Sequence, residues 1–448
     1  MPSIRPFKGI IYNKRKVKDI AKVDAPPDDV IPPKMQGKLY RKHRNNVIRL
    51  ILGKIGEDDN ENNNRYTRAA KTFESWLKEK ILVQDGDPAI YIYSQTYKYD
   101  NRTIERIGFI SLMKLDLTSE MRRARFASRN LSKFRVGFMR GLNVPYASRN
   151  KVLPHENTLK APKEDRLNLM RSVKANLSPI FMLYEDDRDE ISGILKKVTV
   201  RTKPFIDIDI DSVRNRAWKL TGKKAIEKIE KFMGGKNIFI ADGHHRYETA
   251  VNYANEAQDG SSKYTLAYFC KLDDNSLTIL PTHRLIKDIG RLNRPSIIER
   301  LKKFFAIEEY PSAGECILAL KGLKDHHAFG MYMGGNKFYC IRLKREGVAQ
   351  ALMGKGSRDW KGLDVAVLHL FIIQKVLAIR DEDDNIEFEK DARESLKLVD
   401  KGRFKIAFLL NPTKVSEVKK VAEHGEKMPR KATYFYPKLL SGLVINKF

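Results

Sequence analysis

A mixed α/β (α+β) fold in several layers and more than one unit is what this sequence predicts, and three observations predict it. The chain has 448 residues, and at roughly 100 to 200 residues per domain that exceeds one small core. Hydrophobic residues make up 42% and aromatics 9%, the balance of a packed chain rather than a disordered one. Short apolar runs of strand character also alternate with segments whose apolar residues recur at helical spacing.

The elements follow in order. Gly9-Ile10-Ile11-Tyr12 reads as a short strand, and the proline-rich stretch 25–33 as a stiff turn. After an asparagine-rich loop at 61–64, the positions Tyr66, Ala69, Ala70, Phe73, Trp76 and Leu77 trace one face of a helix. Residues 88–93 and 106–110 read as the two strands of a hairpin joined by a polar loop at 98–103. Further on, 164–173 is a helix, 179–184 a buried strand, and 225–233 an amphipathic helix feeding the strand 237–240. The last third predicts helices at 295–305 and 363–379, a strand pair near 329–333 and 338–342, a strand at 404–410 and a helix at 415–421. No repeat or low-complexity tract is visible.

No apolar run reaches the length of a membrane span, and the start of the sequence has no apolar signal core. The three cysteines, Cys270, Cys316 and Cys340, lack a Cys-x-x-Cys pair, which argues against a disulfide framework or a zinc knuckle. The expectation is a cytoplasmic protein that does not engage a membrane. The formal charge of +29 implies a positive field that draws in anions. Within it, residues 122–151 gather arginines and lysines with Phe126, Phe134, Phe138 and Tyr146 between them. Such a segment suits nucleic-acid phosphates and stacked bases, or is an insertion that packs its aromatics and leaves its arginines solvated.

The chemistry concentrates in Ile238-Phe239-Ile240-Ala241-Asp242-Gly243-His244-His245-Arg246-Tyr247. An apolar strand meets a helix there through one glycine, and the start of a helix favours phosphate through its amides and dipole. Gly243 lets the backbone come close, His244 and His245 add donors, and Arg246 is a natural bidentate phosphate clamp. Asp242 is placed to hold Mg²⁺ or to take a proton from a hydroxyl, with a plain helix cap as the alternative. Adjacent histidines on a helix point apart, which disfavours zinc. The P-loop, the dinucleotide-binding glycine turn and the protein-kinase motifs are all missing from the sequence.

A second constellation is Leu153-Pro154-His155-Glu156-Asn157-Thr158, followed by Lys163-Glu164-Asp165-Arg166. A loop carboxylate such as Glu156 suits proton removal during phosphoryl transfer, or is only part of a turn.

In order along the chain, Ile4-Arg5-Pro6-Phe7, Ala25-Pro26-Pro27 with Asp29-Val30-Ile31, Asn46-Val47-Ile48, the Pro154-His155-Glu156 segment, Glu164-Asp165-Arg166-Leu167, Ala175-Asn176-Leu177-Ser178-Pro179-Ile180, residues 241–250, Pro281-Thr282-His283-Arg284 and the stretch from Met428-Pro429 to Tyr436-Pro437-Lys438 resemble the domain-of-unknown-function (DUF) 1015 family. The middle of this series is similar to the fold shared by ParB-type partition proteins, sulfiredoxin and the free-serine kinases. The resemblance implies four segments: an N-terminal α/β unit at 1–117, a basic insertion at 118–151, a ParB/sulfiredoxin-like phosphate-binding core at 152–290 and a C-terminal α/β unit at 291–448.

It further implies a small-molecule kinase that moves a phosphoryl group from ATP or ADP, with Mg²⁺, to the hydroxyl of a free amino acid such as L-serine. Glu156 would be the base and Asp242 the catalytic and metal carboxylate. Gly243, His244, His245, Arg246, Arg284, Lys431 and Lys438 would meet the nucleotide phosphates, and His155, Arg166 and Trp218 the substrate. The alternative it carries is a nucleotide-gated ParB-like switch that holds CTP or ATP and grips nucleic acid through 122–151; a homodimer is compatible with both. Asp28, Asn215, Ala217, Arg430 and Ala432 depart from the family pattern.

Overall fold

The computed structural model describes residues 3–117, 152–158, 160–257, 260–273, 275–379 and 385–448. The basic segment 122–151 lies outside the described residues. The chain divides into two units: one made of Met1–Pro154, Thr158–Ser276 and Pro437–Phe448, the other of His155–Asn157 and Leu277–Tyr436.

In the first unit a nine-stranded sheet forms. Its strands are β1 (Ile4–Arg5), β2 (Ile90–Tyr99), β3 (Arg102–Lys114), β4 (Val152–Leu153), β5 (Ile180–Tyr184), β6 (Ile206–Ile210), β7 (Val213–Leu220), β8 (Ile238–Asp242) and β9 (Tyr264–Lys271). They lie in the order β4-β8-β5-β9-β3-β2-β7-β6, with β1 paired to β3. The sheet is mixed: β8 runs parallel to β4 and antiparallel to β5, while β5 and β9 are parallel.

The β2–β3 hairpin is longer than the sequence pattern suggests, because pairing continues to Tyr99↔Arg102. The expected loop at 98–103 shrinks to Asp100 and Asn101, both at positive φ (48° and 61°). That is the two-residue turn whose twist matches a hairpin. Polarity at 98–103 reflects an exposed tip, and backbone pairing needs no apolar side chain. Strands β6 and β7, absent from the sequence reading, form a similar hairpin through Asp211 and Ser212.

Among the helices of this unit are α1 (Arg65–Lys78), α2 (Lys160–Val173), α3 (Glu190–Arg201), α4 (Lys223–Met233) and α5 (His244–Ala257). Asn64 caps α1 by accepting from the amides of Tyr66 and Thr67. The sheet face bearing Ile90, Ile92, Phe109 and Trp218 is sealed by Leu195 of α3, Ile229 of α4 and Val251 of α5 into one apolar core. Strand alternation turns Tyr93, Gln95 and Arg106 to the opposite face. Residues 437–442 cover part of that face, since Gln95 donates to the Lys438 carbonyl at 3.1 Å.

The second unit holds an antiparallel sheet of six strands: β10 (His283–Ile286), β11 (Phe305–Tyr310), β12 (Ala328–Tyr332), β13 (Phe338–Leu343), β14 (Ile386–Glu389) and β15 (Ile406–Leu409). Two predicted helices change form. The one expected at 295–305 stops at Lys302, and Phe305 already opens β11. The one expected at 363–379 is a short α-turn, Asp364–Ala366, that widens into a π-helix over Val367–Val376. Among the described residues no helix is long and apolar enough to cross a membrane.

Candidate functional site

Strand β8 is apolar and fully buried until its last residue. Its register with β5 shifts between Ile240 and Asp242, and such a bulge re-aims the side chain that follows. Gly243 then turns the chain into α5 at φ +91°, a conformation that L side chains resist. A Cβ on Gly243 would also stand 2.9 Å from the Arg246 guanidinium carbon. Glycine is therefore required by the backbone conformation, with the flexible end of Arg246 folded across it.

Asp242 sits at the centre of a charge cluster. Its Oδ2 accepts from Arg246 at 2.9 Å and its Oδ1 accepts from the Lys438 ammonium. Arg246 also donates to the Pro179 carbonyl. All three charged side chains are largely covered, at 15%, 13% and 10% exposure for Asp242, Arg246 and Lys438. Burial alone would raise the Asp242 carboxyl, but Lys438, Arg246 and His244 together hold it far below the usual carboxylate range. It stays ionised.

Asp29 faces the same cluster. It keeps solvent contact, yet crowding by protein and the nearby Asp242 charge raise its carboxyl, against the pull of Lys438 and Arg246. Its neighbour Asp28 is committed to Arg166, at 3.3 Å. Asp29 itself makes no hydrogen bond or ion pair among the described residues. Asp29 carries no role in the sequence motifs; the acidic pair after two prolines is the signal that points to it.

Residues 4–122 and 121–366 match the model of a family described as "Protein of unknown function (DUF1015)". The chain belongs to this DUF1015 family. No match was found among curated proteins. Solved structures similar to the DUF1015 chain include a conserved hypothetical protein from Pyrococcus furiosus, with 15% identity over 64% of this chain and 89% of that one and a TM-score of 0.31. Another is a free serine kinase in complex with AMP, with 17% identity, 64% and 83% coverage and a TM-score of 0.32. A third is SbnI with a C-terminal truncation from Staphylococcus aureus, with 12% identity, 65% and 82% coverage and a TM-score of 0.32. Likeness at that level carries no functional argument.

In the first unit of this DUF1015 chain, then, Asp242, Gly243, His244, His245, Arg246 and Lys438 come together. Trp218 does not join them. Its ring packs in the apolar core at 2% exposure and its indole N–H donates to the Thr202 carbonyl at 3.1 Å, so it is a packing residue and not a substrate contact. Arg166 is held by Asp28, Asp165 and the Ile51 carbonyl (2.7 Å). It lines a cavity of about 50 Å³ together with Arg246 and Asn176. That is room for a water or two, far below the roughly 300 Å³ or more of a ligand pocket. As built, Arg166 braces the site rather than meeting substrate.

The remaining residues belong to the second unit. Arg284 is fully buried, and its guanidinium donates to His369 at 3.1 Å, to the carbonyls of Arg430 and Lys431 at 3.3 and 3.2 Å, and to Thr282. It cannot be the expected phosphate contact, because its donors are spent on pinning the 430–431 loop. Lys431 is exposed, at φ +54°, with its amide 3.5 Å from Glu156 Oε1. His155 is buried and shares a hydrogen bond of 3.0 Å with the Thr433 hydroxyl, so it too packs rather than presenting itself to a ligand. Glu156 is partly exposed and bridges to Met428.

The expected Mg²⁺ finds no prepared cradle. Both oxygens of Asp242 already accept from cations, and among the described residues no three His, Cys, Asp or Glu side chains gather as metal donors.

Proposed function

We propose that the protein binds a nucleotide by its phosphates at the Gly243 turn of the first unit and transfers a phosphoryl group to the hydroxyl of a small molecule, L-serine being the first acceptor to test. The observation that carries this reading is the convergence of Arg246 and Lys438 on Asp242 at the mouth of α5. A phosphate arriving there meets two cations and a helix N-terminus, and can share the donors that now reach Asp242. The order of sequence motifs, similar to that of the serine kinases, supports the same reading.

In this reaction the acceptor oxygen bonds to the terminal phosphorus while the bond to the bridging oxygen breaks, and that electron pair leaves with the nucleotide. Arg246 and Lys438 neutralise the phosphate charge, and Asp242 keeps both cations aimed. The sequence resemblance names Glu156 as the group that takes the hydroxyl proton. Its replacement, Glu156→Gln, then abolishes turnover while nucleotide affinity stays near normal; unchanged turnover removes Glu156 from that role.

The decisive experiment incubates the protein with ATP or ADP, Mg²⁺, L-serine and a pool of hydroxylated metabolites, and follows phosphorus by NMR and mass spectrometry. A new phosphomonoester is expected. Nucleotide binding without any transfer would instead favour a CTP- or ATP-gated switch, for which the +29 charge suggests nucleic acid as the partner. Steep loss of nucleic-acid affinity with salt is that reading's own test.

A further inference from the structure

Lys438 comes to Asp242 on a strap, residues 437–442, laid across the sheet face opposite the apolar core. Several backbone contacts stitch this strap down. The Ser441 amide donates to the Ala25 carbonyl at 2.8 Å, the Gly442 amide to the Leu177 carbonyl at 3.1 Å, and the Ser178 and Ser441 hydroxyls meet at 2.6 Å.

At the strap's start the grip is different, because side chains from the sheet take hold of two consecutive carbonyls. Gln95 Nε2 donates to the Lys438 carbonyl at 3.1 Å, and Arg106 donates to the Pro437 carbonyl. Arg106 also donates to Gln95 Oε1, so one buried unit makes both contacts. Behind it, Gln95 Nε2 and the Tyr93 hydroxyl both donate to Asn215 Oδ1, at 3.0 and 2.6 Å, and Asn215 Nδ2 donates to the Val213 carbonyl at 2.8 Å. Tyr93, Gln95, Arg106 and Asn215 are all at most 1% exposed.

A fully buried arginine is costly unless its hydrogen bonds are well made. Here the planar guanidinium ties the sheet to the backbone one residue before Lys438. Lysine carries a flexible four-carbon stem with many rotamers, and fixing both flanking carbonyls narrows where its ammonium can stand.

We propose that Gln95 and Arg106 are positioning residues for the anion site, acting through the backbone of Pro437 and Lys438 to set the Lys438 ammonium over Asp242. This rests on reading that site as one that binds nucleotide phosphate.

A double-mutant cycle tests it, with affinity for an unhydrolysable ATP analogue measured by calorimetry on wild type, Gln95→Met, Lys438→Ala and the pair. Each single change is expected to weaken binding roughly tenfold, the scale of one charge-assisted contact. The pair is expected to bind no more weakly than Lys438→Ala alone, because Gln95 has nothing left to position. Losses that multiply, or a Gln95→Met protein that binds like wild type, overturn the proposal.

Ser178→Ala loosens the strap elsewhere and is expected to leave affinity unchanged; an equal loss there would mean general slackening and would overturn it too. Arg106→Lys, which keeps the charge and some donors, is expected to fall between wild type and Gln95→Met, with thermal melts showing every variant folded at the assay temperature. If Lys438→Ala binds like wild type, the positioning role is overturned while nucleotide binding stands. No binding by wild type overturns both.

Discussion

Lys438 holds Asp242 from 196 positions further along the chain, donating to the carboxylate oxygen that Arg246 leaves open. A buried carboxylate shared by two cations is strongly ionised, and the stability it lends has a definite pH window.

Asp242→Asn leaves Lys438 and Arg246 facing each other without their counter-ion, and should destabilise the first unit by about 3 kcal/mol at neutral pH. The folded carboxyl titrates below its usual value of 3.8. Its contribution is therefore complete above that pH and lost as pH falls through the lower folded value. Urea unfolding at pH 7 and pH 3 checks this: the gap between wild type and variant narrows in acid, and an equal gap at both would refute the assignment.

Asp29 adds a negative charge beside the proposed phosphate position and makes no hydrogen bond or ion pair among the described residues. Asp29→Asn should therefore tighten nucleotide binding, by roughly twofold to tenfold at low salt. Calorimetry with ATP in the absence of divalent cation measures it. Weaker binding would show that Asp29 contacts the nucleotide directly.

Asp24 presents a different problem. It is buried, neither carboxylate oxygen has a hydrogen-bond partner among the described residues, and burial lifts its carboxyl well above the usual 3.8. The folded state then binds the proton more tightly than the unfolded chain, so stability is greatest below that value and declines as pH rises towards the folded one. Asp24→Asn removes the decline and should gain about 1 to 3 kcal/mol above it. Melting temperatures at pH 5 and pH 8 test the claim; a variant less stable than wild type at pH 8 would reveal a hidden partner.

Much of this was legible in the sequence, for reasons that also explain what was not. The strand, glycine and helix around Asp242 are written in consecutive residues, so local pattern suffices to place them. Helix α1 likewise follows from the spacing of Phe73 and Trp76 behind the Asn64 cap. Asp29 and Lys438 reach the site from distant parts of the chain, and periodicity is blind to such meetings; Lys438 is named only through the family resemblance. Trp218 misled because its substrate role came from the family resemblance alone, whereas strand alternation sends it inward. Arg284 misled for a related reason: a charged side chain satisfied by backbone carbonyls leaves no mark in composition.

The strap also orders events during synthesis. Residues 437–448 complete the first unit, yet they are translated only after Leu277–Tyr436 has emerged. A nascent chain can thus build most of the large sheet early while Lys438 is still missing from Asp242, so the phosphate-facing cluster stays immature until translation has passed through the entire inserted unit.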